Sequence, residues 1–590
     1  MSNRKNILNI GAVIYAVLSF GYISYMFADF NMSNFGNFAI FTVLGLYCLI
    51  KDGIFKKTSL ANDFLLWIAA LLFSATVVTG YHFTNETAIT LKVLVLFAFA
   101  IGGLTFVYKC LFVKIYTIFE GWAKKQSASN KPADINKKKV WLTAFVVIMC
   151  CWSIVWLAYY PGFINYDHEQ IMQVINGEYT THHPLIHTLM FGGIYVLGLK
   201  LGNATVGVIL YAFIQMSIMA SIMAYSFVYV VENINSKAFR VLVLAFYGLL
   251  PVNSILAMST TKDVIFSGLV LLAVVLLEKY NKEDGSKIKG FLLMGTTVLM
   301  LLFRNNAFYA LALMFVLAVC FVKLQKNGLK IVLAILVCLV VYKGCDKILV
   351  SALDAESGSI GEMLSVPTMQ FGRVYLTAEE LGDTDTMQLV ERFYDMDKAI
   401  YRQRISDMMK KYIRNVDTTE GLVEYLKTSL ELFKRYPLVS VQSVVYLTQG
   451  HWDINDISHA EIYGTKAGDR FGYLTTRVYE NYGVTTESKI PVLEKLLEEA
   501  FTANKYQYVP VITLLFAPAF YLWFLVLYTI FMIRAKKWNN LFLSSFFWFY
   551  ILTLLAGPCV LIRYIYPLIV STPVLIITML NTVSERNAEK

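Results

Sequence analysis

The chain has 590 residues, of which 57% are hydrophobic and 15% aromatic against 16% charged, a mixture too apolar for a water-soluble globular domain. Its formal net charge of +10 sits in short Lys and Arg clusters between apolar runs and not along one soluble face, so membrane topology explains it and no nucleic-acid partner is expected. The eight cysteines fall mostly inside apolar runs, as at Cys110, Cys150, Cys151, Cys320 and Cys338, and no spacing suits a disulfide framework or a metal-thiolate site.

Residues 7–27 follow the basic start Asn3-Arg4-Lys5, as a signal peptide would, but the apolar run is about 20 residues long and lacks a small-x-small cleavage site. It reads as a retained first helix. Further apolar runs near 36–51, 61–80 and 90–116 complete an N-terminal group of four helices over residues 1–121. A basic linker, 122–139, separates it from a membrane module at 140–350 with runs near 140–159, 204–231, 239–257, 264–279, 289–303, 306–323 and 330–349. Residues 351–506 are polar and form an outer domain, mostly helical by the spacing of apolar positions in 388–413, 420–435 and 491–503, with turns at Asp383-Thr384-Asp385 and between Gly464 and Gly472. Runs near 508–533, 540–557 and 564–580 and a tail close the chain over 507–590. The expected fold is an all-α polytopic membrane protein with about fourteen transmembrane helices.

Orientation follows from the positive-inside tendency. Lys51, Lys56 and Lys57, the run from Lys124 to Lys139, Lys237 and Arg240, Lys282 and Lys287, Lys323 to Lys330, Arg534 to Lys537 and the tail all land on one side. That side is expected to be cytoplasmic, with both termini there and the working face outside the cytoplasmic membrane. The scheme depends on residues 185–200, which are apolar but only about 16 long and contain Gly192, Gly193 and Gly198. They suit an interfacial helix better than a crossing, and a crossing would put several basic loops on the wrong side.

The outer face carries the unusual polar residues. The loop YYPGFINYDHEQIMQVINGEYTTHHPLIH holds Asp167, Glu169, His182, His183 and His187. Lys262-Asp263, Arg304-Asn305 and Arg563-Tyr564 stand at the ends of later apolar runs. Ionisable groups at such positions are costly, so a functional role is the default reading. Transfer of a sugar from a polyprenyl phosphate would need a carboxylate to take the acceptor's proton, for which Asp167 is the candidate with Glu169 beside it. It would also need cations at the departing phosphate, for which Arg304, Arg563 and Lys262 are candidates.

The order of a loop acid at Asp167, the block His183-Pro184-Leu185 opening an interfacial helix, and an outer Lys262-Asp263 resembles the GT-C membrane glycosyltransferases, the polyprenyl-phosphate-sugar-dependent class that includes protein mannosyltransferases. The blocks YPGFINYD, HHPLIH, TTKDVIF, LFRNNAFYA and RYIYP also look like an uncharacterised bacterial branch of that class, and the resemblance covers roughly 140–580. It implies a GT-C-like module, Asp167 as catalytic acid or base, a lipid-phosphate-sugar donor, inversion, and an extracytoplasmic acceptor such as an envelope glycan. His182, His183, His187, Lys262, Asp263, Arg304, Asn305, Arg563 and Tyr564 are then substrate-binding candidates. The chain lacks the adjacent Asp-Glu pair of the mannosyltransferases, since His168 separates Asp167 from Glu169. The spaced pair resembles that of metal-dependent oligosaccharyltransferases, which leaves a divalent cation, Mg or Mn, open as cofactor.

Each residue also has a plainer reading. Asp167 and Glu169 could be ordinary loop acids, and His182 and His183 structural. Thr260-x-x-Asp263 before an apolar run is a capping-box pattern. Arg304 and Arg563 could snorkel to headgroups. Gln370, Arg373 and His451-Trp452 could touch an acceptor sugar or serve the outer domain alone. A transporter or lipid flippase, and a membrane-anchored sensor, are the other function classes. The first lacks an evident inverted repeat, and the second leaves the cluster around Asp167, Lys262 and Arg304 without a purpose.

Overall fold

The computed structural model describes residues 2–26, 32–54, 60–85, 90–128, 135–164, 169–282, 286–324, 328–358, 360–456, 482–501 and 509–588. Among these residues the regular elements are helices, and strand pairing is limited to isolated bridges. Eight helices are long and apolar enough to cross a membrane, or nine when one bent pair is taken as a single span. The chain is therefore a membrane-embedded, all-helical protein.

The N-terminal group comprises α1 (Ser2–Met26), α2 (Met32–Asp52), α3 (Leu60–Asn85) and α4 (Leu91–Ala128). Its core, with Ala16, Phe73, Val78, Leu104 and Tyr108, continues onto Ala519 and Trp523 of α21 (Pro518–Ala535). The central module runs through α5 (Lys137–Ala158), α6 (Glu169–Asn176), α7 (Leu185–Leu201), α8 (Ala204–Asn233), α9 (Lys237–Leu249), α10 (Pro251–Ala257), α11 (Lys262–Lys282), α12 (Lys287–Phe303), α13 (Asn305–Cys320) and α14 (Gly328–Leu353). It shares one core with α21, α22 (Trp538–Leu555) and α23 (Ile562–Ala588). The single run expected over 239–257 is instead α9 and α10, bent by 42°. Pro251 cannot donate to a helical ladder and disfavours helical geometry at Leu250, which is extended (φ −67°, ψ 117°).

Polar contacts fix the helix directions. Lys137 at the start of α5 pairs with Glu232 at the end of α8 (2.6 Å), and Lys279 at the end of α11 reaches the same carboxylate (3.2 Å). Asn540 at the start of α22 donates to Glu278 (3.3 Å), and Asn581 of α23 donates to Asn233 (3.2 Å). So α5 and α22 begin, and α8, α11 and α23 end, at one end of the bundle. The end of α5 and the start of α8 then lie together at the opposite end, and residues 159–203 leave and return there. The helix α7, 17 residues long, does not invert the chain. It packs back along α8, where Gly198 and Gly207 touch so closely that neither could carry a side chain.

The segment between α14 and α21 holds α15 (Ser365–Leu381), α16 (Thr384–Glu391), α17 (Asp407–Lys410), α18 (Thr419–Arg435), α19 (Pro437–Trp452) and α20 (Pro491–Phe501). Its core stacks Phe371 on Tyr425 (4.7 Å), and the Tyr394 hydroxyl links Thr368 and Tyr425. The expected helices at 420–435 and 491–503 correspond to α18 and α20. The one expected over 388–413 is not continuous: α16 stops at Glu391, and the chain continues irregularly with bridges Tyr394 to Ile413 and Arg402 to Ile405. Asp383 caps α16 by accepting from the Thr386 amide (3.1 Å), so the expected turn there is a helix start. The expected turn between Gly464 and Gly472 lies outside the described residues.

Candidate functional site

The junction of α10 and α11, Ser259-Thr260-Thr261-Lys262-Asp263, lies at the bundle end opposite Glu232. It is pinned by the turn after α5. The Phe163 amide donates to Met258 O (3.2 Å) and the Thr260 amide to Phe163 O (3.1 Å). Gly162 makes this possible with φ +131°, where a Cβ would meet Ala212 and Met258 O at 3.2 and 3.3 Å. Because the Thr260 amide is engaged with Phe163, Asp263 does not close the capping box that the spacing suggests. Its carboxylate is used elsewhere.

Arg304 stands between α12 and α13 in extended conformation (φ −155°, ψ 115°), and its Nη1 pairs with Asp263 Oδ1. Arg563, at the start of α23, places Nε 3.4 Å from Asp263 Oδ2 and donates from Nη1 to the Thr261 hydroxyl (3.3 Å). That hydroxyl in turn donates to Asp263 Oδ2 (3.2 Å). Relative exposures of 1% for Asp263, 6% for Arg304 and 5% for Arg563 exclude snorkelling of either guanidinium to solvent. The rings of Phe266, Tyr550 and Tyr564 surround the Arg304 guanidinium at 5.7, 5.7 and 5.0 Å. Two buried guanidiniums thus share the Asp263 carboxylate, and Arg304 Nε has no acceptor. Such an arrangement is expensive unless an anion completes it.

Lys262 donates from Nζ to His183 Nδ1 (2.7 Å), which assigns the imidazole proton to Nε2. His182 lies edge-on to the His183 ring (4.5 Å) and is exposed. The segment between α14 and α21 covers this side. The Thr181 amide donates to Glu356 O (2.8 Å), and the Gly358 amide to the Thr181 hydroxyl (2.9 Å). Lys410, almost wholly buried, pairs with Glu362 (2.7 Å) and Asp407 (2.9 Å). Burial alone would raise the Glu362 carboxyl, but the Lys410 ammonium, aided by His182 and Lys262, holds it below its ordinary value. The Ser406 amide donates to Pro558 O (3.0 Å), tying the same segment to the loop before Arg563.

The structure therefore brings together His183, Lys262, Asp263, Arg304, Arg563 and Tyr564, with His182 at the rim. It does not bring the others. His187 is wholly buried beside Phe191 and bonds the Tyr211 hydroxyl (3.0 Å). Tyr211 passes the contact to Gln215 (2.8 Å), whose amide holds Ala257 O and Ser259 O at 2.9 and 2.7 Å. His187 thus supports the α10–α11 junction from a distance. Asn305 is exposed at the first turn of α13. Glu169 is exposed in the first turn of α6, on the side of Tyr482. Asp167 and His168 lie outside the described residues, and among the described ones no three His, Cys, Asp or Glu side chains gather to hold a metal. Gln370 and Arg373 serve the helices between α14 and α21: Gln370 donates to Ser429 O (2.9 Å) and Ser440 (3.0 Å), and Arg373 lies over the Tyr446 ring (4.5 Å).

Sequence reasoning missed Thr261, Glu362, Lys410 and Gln170. The last is fully buried with neither side-chain atom partnered, three positions after Asp167. Lone polar residues in a polar domain or loop carry no signal of their own, although Thr261 adjoins Lys262-Asp263 and could have been read with it.

Long apolar helices joined at one end by a buried cationic cluster define a polytopic membrane protein with a candidate anion-binding site. Residues 176–590 match the model of a family of unknown function, DUF6020, and the chain belongs to that family. No curated protein and no solved structure matches it.

Proposed function

We propose that the protein is a GT-C-like membrane glycosyltransferase that moves a sugar from a polyprenyl-phosphate donor to an extracytoplasmic acceptor such as an envelope glycan. The observation that carries the reading is the pair of buried guanidiniums, Arg304 and Arg563, that share the Asp263 carboxylate beside Lys262, with Arg304 Nε left unpartnered. A lipid phosphate is the anion that suits such a cluster at the end of apolar helices. In this reading the donor phosphate takes the valences that Asp263 leaves unfilled. The acceptor hydroxyl attacks the anomeric carbon, the carbon–oxygen bond to phosphate breaks with its electron pair going to the polyprenyl phosphate, and the configuration inverts. The hydroxyl proton passes to Asp167, with Glu169 nearby in the same loop.

The reading includes about fourteen crossings, with the shorter helices α12 and α13 among them, both termini cytoplasmic and the site on the outer face of the cell membrane. Two features support it: the bundle end opposite the site carries Lys137, Lys279 and Lys282, and α7 leaves the alternation intact. A divalent cation, Mg or Mn, would be held by the Asp167-x-Glu169 loop if the reaction uses one.

The test is transfer from polyprenyl-phosphate sugars in proteoliposomes. Asp167→Asn should abolish transfer while donor binding persists, and Arg563→Gln should weaken donor binding about tenfold or more, the scale of one charge-assisted hydrogen bond. Donor binding unaltered by Arg563→Gln and Arg304→Gln alike would refute the phosphate assignment. Sugar transported across sealed vesicles with no covalent product would instead establish a flippase.

A further inference from the structure

A second buried polar group lies where α19 ends against α3. Arg404 pairs with Asp456 (2.6 Å) and donates to Gln449 Oε1 (2.8 Å). Gln449 Nε2 donates to Asp453 Oδ2 (2.9 Å) and to Gly80 O of α3 (3.0 Å), and the Asn455 amide donates to Asp453 Oδ1 (3.0 Å). Two side chains in this group are left unsatisfied. The Asn455 carboxamide is 5% exposed with neither its oxygen nor its nitrogen partnered, and His451 is 2% exposed with Nε2 unpartnered. Buried amides and imidazoles in native proteins are almost always paired, so these vacancies ask for a partner that both donates and accepts.

The chemistry of the group narrows that partner. A metal is disfavoured, because no three ligating side chains gather among the described residues. An anion is disfavoured by two carboxylates facing one guanidinium. Burial, followed by the neighbouring Asp456 charge, pushes the Asp453 carboxyl up to about 7, while burial holds His451 down to about 4. Near neutrality the group therefore approaches electrical balance and suits an uncharged ligand. Vicinal hydroxyls donate to carboxylates while accepting from amide and imidazole N–H, which matches every vacancy here.

We propose that Arg404, His451, Asp453, Asn455 and Asp456 form a binding site for a neutral polyhydroxylated group, the acceptor sugar of the transfer reaction. The acceptor role rests on the glycosyltransferase reading; the polyol site itself does not. Position supports the link. Arg404 stands two residues from Ser406, which bonds the Pro558 carbonyl in the loop before Arg563, and six from Lys410 beside Glu362. Six extended residues span at most about 22 Å, so one short segment joins this group to the cationic cluster.

The experiment is saturation-transfer NMR on the full-length protein in detergent, with the methyl glycosides of glucose, galactose and N-acetylglucosamine as probes. At least one glycoside should bind, about tenfold more weakly in Asn455→Ala and Asp456→Asn, the loss expected for one or two hydrogen bonds, and unchanged in Lys434→Ala on the exposed face of α18. Thermal unfolding of each variant separates lost binding from lost folding, and Asn455→Asp, which keeps the side-chain shape, serves if Asn455→Ala does not fold. Absence of binding by all three probes, or binding indifferent to Asn455 and Asp456, would overturn the site. Glycoside binding that depends on Asn455 in a protein without transferase activity would keep the polyol site and remove only the acceptor role.

Discussion

The same helices carry ionic groups at both ends, two cations on one carboxylate in each, and the two differ in burial. At one end Glu232 is held by Lys137 and Lys279, and Glu278 by the Tyr229 hydroxyl and the Asn540 amide. Both lysines there share one carboxylate, Glu232, and the Lys137 side chain remains 67% exposed. At the other end Arg304 and Arg563 share Asp263, and all three are nearly excluded from solvent. The first arrangement resembles a clamp holding the ends of α5, α8 and α11 in register. The second retains unfilled hydrogen-bonding capacity that packing alone does not require. A buried guanidinium kept with an unfilled donor, as at Arg304 Nε, is the mark of a site.

The largest effect that separates the two ends is expected at Asp263. Asp263→Asn removes the carboxylate that two buried guanidiniums share, and breaking a buried pair in this way costs roughly 3–5 kcal/mol. The purified variant should unfold at a markedly lower temperature in detergent, and a phosphate-bearing lipid should restore part of the loss by supplying the missing anion. A variant as stable as the parent would show that Asp263 is dispensable and dissolve the contrast.

A smaller effect, roughly 1 kcal/mol between pH 8 and 6.5, comes from the group at the end of α19. The Asp453 carboxyl, ordinarily at 3.8, is raised to about 7 in the folded protein, so its contribution is present at low pH and lost as pH rises through 7. His451 is lowered from 6.5 to about 4, so its contribution is present above 6.5 and lost as pH falls towards 4. The unfolding temperature should therefore rise as pH drops from 8 to about 6.5, where Asp453 acts alone, and then level off as the two oppose each other. In Asp453→Asn the initial rise should vanish, and the His451 loss, no longer offset, should appear as pH falls below about 6.5.

Much of this architecture was legible because lipid constrains sequence so strongly. Lysine clusters between apolar runs marked one end of the bundle, and the shortness of residues 185–200 marked a helix that does not invert the chain. The Lys262-Asp263, Arg304 and Arg563 positions stood out because ionisable residues at the ends of apolar runs are expensive. What could not be read was which groups share a partner. The choice for Asp263 between capping and ion pairing turned on the Thr260 amide, which Phe163, far away in the chain, had already engaged. His183 and His187 look alike in sequence, yet one accepts from Lys262 and the other props Tyr211. The Glu362–Lys410 pair and the Asn455 carboxamide are ordinary residues of a polar domain until folding sets them against the membrane module.

The smallest effect tests the clamp. Lys137→Ala removes a partner that is two-thirds exposed and leaves Lys279 on Glu232, so the loss should fall within about 1 kcal/mol and shrink further as salt is raised. The corresponding loss at Asp263 should be nearly independent of salt, because ions cannot enter a site from which solvent is excluded. Salt dependence thus distinguishes the two ends even if the stabilities happen to be similar. A salt-insensitive cost of several kcal/mol at Lys137 would mean that the clamp is as buried in energetic terms as the cationic cluster, and the unfilled Arg304 Nε donor would then be what distinguishes the two ends.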